Sequence, residues 1–273
     1  GMRVHIITDM EGISGIVKPE QTNATKPQFE EGRKLYTEEV NATVRGAKAG
    51  GATEIVVMDC HGAGEGFSWN SLIPEELDPD CEFVVQDEWT GYTAFLEAGC
   101  DAALFVGMHA MAGTADGVLN HTVSGVDWQN LWFNGTRVGE TGINAALCGT
   151  WGCPVLLVTG DRAAAREAKA LLGDGLTAVE VKEGLGVKTA RLLTPKRARE
   201  LVEEGAKRAL SDLKAVAPYD PGKPCEIKVE YKSTAPPQKL RFQSGVEVVD
   251  DRTIVSRADD WWSAWKQFFF AAN

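Results

Sequence analysis

The chain has 273 residues, 44% of them hydrophobic and 25% charged, with a formal net charge of −11. That length carries one large or two modest domains, and the composition is ordinary for a soluble globular protein. The negative balance argues against nonspecific binding to nucleic acid or anionic membranes. No apolar run reaches the roughly eighteen residues a membrane span needs, and no signal-type segment opens the chain, so a cytoplasmic protein is expected. Its six cysteines form no CxxC pair and no compact framework, as for free thiols in a reducing compartment.

The first element is a short β-branched strand containing Val4, Ile6 and Ile7, buried on both faces. It ends in Asp9-Met10-Glu11-Gly12, two carboxylates just past its carboxyl end, where open α/β sheets bind ligands. Carboxylates this close repel, and one titrates abnormally unless a cation neutralises both. Residues 13–26 read as loop. Pro27 begins a helix whose Tyr36, Val40, Val44 and Ala47 share one face and which Gly50-Gly51 stop. Residues 54–59 form a second buried strand that delivers Asp59-Cys60-His61, completing a right-handed βαβ unit. A glycine-rich, then acidic loop follows, with a short strand at 82–85 and a short helix at 92–98. The strand at 102–107 then delivers Met108-His109-Ala110.

Residues 120–123 read as the start of an extended stretch, and Asn134-Gly135 as a type I′ hairpin turn within 131–138. Glu140 follows at a helix start, where by itself it reads as a dipole or capping partner. A further core strand, 154–158, leads to Asp161 as N-cap of the next helix. Near 173–186 the pattern becomes less parallel-like. Beyond it come a helix from Thr194-Pro195, an alternating antiparallel strand at 226–231, a hairpin around Asp250-Asp251, and an aromatic helix at 259–270. That last helix reads as core of a second domain, or as a subunit interface.

Carboxylates and imidazoles without thiolates suit zinc or a similar divalent ion. His5 lies inside the first strand and reads as structural. Five candidate ligands exceed one tetrahedral site, whereas two metals sharing a bridging carboxylate use them all. His121 is then left for acid/base work or oxyanion stabilisation.

Residues 8–15, Thr-Asp-Met-Glu-Gly-Ile-Ser-Gly, resemble the opening of the DppA-type D-aminopeptidases, and the likeness continues in order. It runs through Asp59-Cys60-His61, Gly107-Met108-His109-Ala110, Gly117 to His121, Val138-Gly139-Glu140-Thr141-Gly142 and Pro154 to Asp161. The resemblance implies two zinc ions per subunit held by Asp9, Glu11, His61, His109 and Glu140. It makes Asp9 the bridge, pairs Glu11 and His61 on one metal, and puts His109 and Glu140 on the other. Glu140 thereby becomes a ligand rather than a cap. His121 falls on the family's proposed catalytic histidine. The resemblance also implies removal of N-terminal residues, with D preference, from short peptides, and a decameric homo-oligomer. Cys60, Arg162 and the glycine-rich loop after His61 depart from the pattern.

The expected fold is α/β: a three-layer, largely parallel sheet with helices on both faces, then a smaller α+β domain. The expected division is a metal-binding catalytic domain over residues 1–180 and a C-terminal domain over 181–273 with oligomer contacts. Two rivals to the aminopeptidase reading remain open from sequence. One is a metal-dependent amidase or phosphoesterase. The other is a non-catalytic peptide-binding module with structural metal.

Overall fold

A computed structural model describes residues 1–272. The first part of the chain alternates strand and helix. In order come β1 (Met2–Thr8), α1 (Phe29–Ala49), β2 (Ala52–Asp59), β3 (Glu82–Val84), α2 (Ala94–Glu97) and β4 (Ala102–Met108). The hairpin β5 (Trp128–Phe133) and β6 (Thr136–Val138) precedes α3 (Glu140–Thr150), β7 (Val155–Asp161) and α4 (Arg162–Leu172). Then follow β8 (Thr177–Gly186), β9 (Thr189–Leu192), α5 (Pro195–Ala209), β10 (Cys225–Tyr231) and α6 (Ala235–Lys239). The chain closes with β11 (Val246–Asp250), β12 (Thr253–Ala258) and α7 (Trp261–Ala272).

Seven strands form one sheet in the order β3-β2-β1-β4-β7-β8-β9, parallel except for the β8/β9 pair. The middle strands are apolar without alternation, and every residue of β4 is buried, as a sheet covered on both faces requires. The chain steps from β1 to β2 in one direction and from β4 to β7 in the other. Right-handed crossovers therefore put α1 on one face and α3 and α4 on the opposite one. α5 joins α1, closely enough that a Cβ on Gly46 would stand 2.2 Å from the Glu203 carbonyl oxygen. The three-layer α/β expectation thus holds.

The second sheet is antiparallel, in the order β11-β12-β10-β5-β6. Asn134 and Gly135 have φ of 45° and 83°, the left-handed pair that a type I′ turn demands. α7 covers this sheet, with Trp265 and Phe268 around the fully buried Trp128. Residue 180, the expected domain boundary, falls inside β8, and the second sheet takes strands from both sides of it.

Four local readings change. Residues 120–123 form an irregular, bent segment rather than a strand. The helix expected at 92–98 shortens to α2, and α1 begins at Phe29 rather than beside Pro27. Residues 177–186 are a parallel strand on β7, masked in sequence by alternating polar positions, because β8 is covered less completely than β4. Gly46→Ala should force α1 and α5 apart and cost about 1–3 kcal/mol, measured as a lower urea midpoint with an unchanged slope.

Candidate metal centre

The strand order reverses between β1 and β4, and such a switch point opens a crevice at the carboxyl ends of the strands. β1 ends one residue before Asp9, β2 two residues before His61, and β4 one residue before His109. The three strands are neighbours in the sheet, so the three side chains meet. Glu140, the first residue of α3, comes from the other direction, delivered by the β5–β6 hairpin.

Asp9 sits at the middle. Its Oδ1 lies 3.1 Å from His61 Nδ1, and its Oδ2 lies 3.2 Å from His109 Nε2. Glu11 Oε1 is 3.3 Å from His61 Nδ1, and Glu140 Oε2 is 3.1 Å from His109 Nε2. Donor atoms of Asp9, Glu11 and His61 all lie within 4.8 Å of one another, as do those of Asp9, His109 and Glu140. The two triads share only Asp9. Glu11, His109 and His121 make a third group of that kind. His121 stacks on His109 at 4.0 Å between ring centroids, with Nε2 3.4 Å from Glu140 Oε2.

The backbone fixes which nitrogen of each ring faces the cluster. His61 Nε2–H donates to the Thr22 carbonyl at 2.8 Å, His109 Nδ1–H to Ala110 at 3.0 Å, and His121 Nδ1–H to Leu119 at 2.9 Å. A carbonyl oxygen only accepts, so in each ring the bonded nitrogen carries hydrogen. The other nitrogen points at carboxylates. Holding a ligand imidazole by its remote N–H is the usual support of a metal site. His109 Nε2 and Glu11 Oε1 are buried and have no hydrogen-bond partner among the described residues, which is how atoms that coordinate a cation stand in the protein alone.

The electrostatics agree. Burial pushes the Asp9 carboxyl up to about 6, and the Glu11 charge beside it adds to the rise. Burial opposes ionisation of Glu140 as well, but His109 outweighs it and holds the carboxyl at about 2. Burial lowers His61 and His109, yet the Glu11 charge raises the first and the Glu140 charge the second, well above the usual imidazole range. The cluster therefore demands positive charge, and the donor set fits a divalent ion of the zinc type.

Around this centre opens a cavity of about 210 Å³ lined by Asp9, Glu11, His61, His121 and Glu140. Cys60, the departure beside His61, also lines it, and burial raises its thiol well above the usual range. Leu119 and Val123 flank His121 with φ of 51° and 61°, a strained setting for residues other than glycine. The Val123 N–H donates to Glu140 Oε2 at 3.0 Å, tying the His121 loop to the cluster.

Cations held here at an open cavity can activate water, and that chemistry places the chain among the metal-dependent hydrolases. Comparison with known proteins narrows the class. The family model described as D-aminopeptidase matches residues 2–270. A D-aminopeptidase of Bacillus subtilis (strain 168) is 32% identical over 256 residues, covering 93% of this chain and 90% of its own. The solved structure of the Zn-dependent D-aminopeptidase DppA from Bacillus subtilis, a self-compartmentalizing protease, superposes with a TM-score of 0.90. It is 29% identical and covers 99% of this chain and 96% of its own. The chain belongs to the D-aminopeptidase family, and with it to the aminopeptidases.

Sequence reading missed the support of the centre. Asp59 accepts from Tyr36 Oη at 2.9 Å, from the His61 N–H at 3.0 Å and from the Leu72 N–H at 3.1 Å, fixing the loop that carries His61. Buried Lys182, on β8, donates to the carbonyls of Glu11, Ile13 and Ile16 at 2.6, 2.7 and 2.6 Å. Burial holds its ammonium down at about 8. Glu39 of α1 accepts from the Ser14 N–H at 3.2 Å on the other side of the same loop. Asp59 lies in one motif with His61, but Lys182 and Glu39 stand 171 and 25 residues from the groups they hold, and no local pattern marks them.

Burial raises the Glu39 carboxyl from 4.5 to about 7. Between those values the folded chain binds more protons than the unfolded one, so this group's stabilisation is full below the lower value and lost as pH rises through the upper. At about 1.4 kcal/mol per unit, the loss amounts to roughly 3 kcal/mol. Glu39→Gln should therefore flatten the decline of stability between about pH 4.5 and 7, read from urea unfolding at a series of pH values.

Proposed function

We propose that this chain is a zinc-dependent D-aminopeptidase that holds two metal ions and removes N-terminal residues from short peptides. One observation carries the reading: the two oxygens of Asp9 face two different imidazoles, each with its own further carboxylate. In this reading Asp9 would be shared by the two ions, Glu11 and His61 would hold one, and His109 and Glu140 would hold the other. The similarity to a Zn-dependent D-aminopeptidase supports the choice of metal and of D-residue substrates.

Bound there, the cations would polarise the scissile carbonyl and activate a water. The chain's own residues do the rest. The Leu119 carbonyl holds His121 Nδ1–H and so leaves Nε2 facing the cavity, able to take or return a proton. The low exposure of Asp9 and Glu11 at the floor of the cavity strengthens each polar contact there. Carboxylates beside the site attract a free α-amino group, which favours attack at the chain end over internal bonds. His121 is thus read as the acid/base residue.

The same reading includes a closed homo-oligomer, decameric by the family likeness, consistent with a self-compartmentalizing relative. A cytoplasmic location accords with six free cysteines. Among the described residues no helix is long and apolar enough to cross a membrane.

Metal-stripped protein should lose activity and regain it with zinc; full activity without metal would reject the reading. His109→Ala should lose one metal equivalent by elemental analysis and nearly all turnover, while circular dichroism stays native. His121→Ala should keep both equivalents and lower kcat by about 10²–10⁴-fold. Loss of a metal from that variant would instead make His121 a ligand. Hydrolysis of phosphate esters but not of aminoacyl amides would move the enzyme to the phosphoesterases.

A further inference from the structure

The cavity continues away from the centre between two aromatic walls. One wall is Trp69 packed on Trp89, with ring centroids 5.5 Å apart. The other belongs to α7, where Trp265 stacks on Phe269 at 4.7 Å and Trp262 meets Phe270 edge-on at 6.4 Å. The walls meet at the mouth, where a Cβ on Gly91 would stand 3.1 Å from the Phe270 ring. Among the described residues the only charged or imidazole side chains on the lining are Asp9, Glu11, His61, His121 and Glu140. All five belong to the centre itself.

Trp69 shows that the first wall is built rather than incidental. Its φ is 56°, in the left-handed region that a bulky residue occupies only under constraint. The constraint is visible: its N–H donates to the His61 carbonyl at 2.6 Å, and its carbonyl accepts from the Gln86 N–H at 3.1 Å. The backbone that carries this indole is therefore tied directly to the backbone of a candidate metal ligand.

Resting on the aminopeptidase reading above, we infer that this aromatic channel is the subsite for the side chain of the substrate's N-terminal residue, and that it selects bulky, uncharged aromatic or aliphatic side chains. In aminopeptidase action the free amine and the scissile carbonyl both sit at the centre. The first side chain leaves the carbon between them and must enter the adjoining space. A charged side chain would be desolvated there with nothing to pair it. A methyl group would leave the walls apart, whereas an aromatic ring fills them with offset or edge contacts. The cavity, about 210 Å³, is smaller than the ~300–1,000 Å³ of drug-sized sites, which suits one aminoacyl group.

The test compares D-phenylalaninamide, D-alaninamide and D-lysinamide on the zinc-loaded enzyme. The phenylalanine compound should exceed both others at least about tenfold in kcat/KM, most of it in KM. Trp262→Ala should shrink the phenylalanine-to-alanine ratio about tenfold, Trp262→Phe should largely keep it, and zinc content should not change. Phe270→Ala, at the mouth, gives a second variant should the first fail to fold. Equal or better turnover of D-alaninamide would overturn the subsite while leaving the aminopeptidase reading intact. If none of the amides is hydrolysed, that reading fails, and tryptophan fluorescence still judges the channel. Quenching by D-phenylalaninamide at a concentration about tenfold below that needed for D-alaninamide supports it, and equal affinity overturns it.

Discussion

Two buried carboxylates and a half-buried third crowd around one point, and like charges this close cannot stay ionised in a low-dielectric setting without compensation. Asp9 bears the conflict most directly, with Glu11 raising it and imidazoles on both sides lowering it. Much of the surrounding structure holds this unfavourable arrangement in place. Lys182 clamps three carbonyls of the loop after Glu11, Asp59 secures the loop of His61, and three backbone carbonyls orient three imidazoles. Such pre-arrangement means that metal binding need not reorganise the protein.

The two sheets have divided the work. The parallel sheet supplies Asp9, Glu11, His61 and His109 from neighbouring strand ends. The antiparallel sheet supplies the hairpin that aims Glu140 and the platform on which α7 lies. The aromatic helix, read from sequence as core or interface, is core on one side and cavity wall on the other. Phe268 is fully buried, whereas Phe270 is 41% exposed at the mouth. A helix can serve both ends because its residues point in all directions around the axis.

The placement of Glu140 shows where local reading stops. A carboxylate at a helix start is stabilised by the dipole whatever else it does, so its position alone cannot reveal a ligand. Only an ordered set of motifs raised it to a ligand in the sequence, and only the 3.1 Å approach to His109 places it beside Asp9. Residues 177–186 erred the opposite way. Their pattern read as less parallel-like, yet they extend the parallel sheet and bring Lys182 under the Glu11 loop.

What the sequence determined by itself was the alternation of buried strands and amphipathic helices, and the polar residues at each strand end. Both follow from the period of the backbone and the burial of each face, which any stretch carries locally. What only the tertiary structure decided was which distant groups touch: Lys182 with the carbonyls of Glu11 and Ile13, Glu39 with Ser14, and the α7 rings with the cavity. Those contacts depend on how whole elements pack, and groups brought together from different elements, 25 residues apart for Ser14 and Glu39 and 171 for Glu11 and Lys182, leave no periodic trace in the chain.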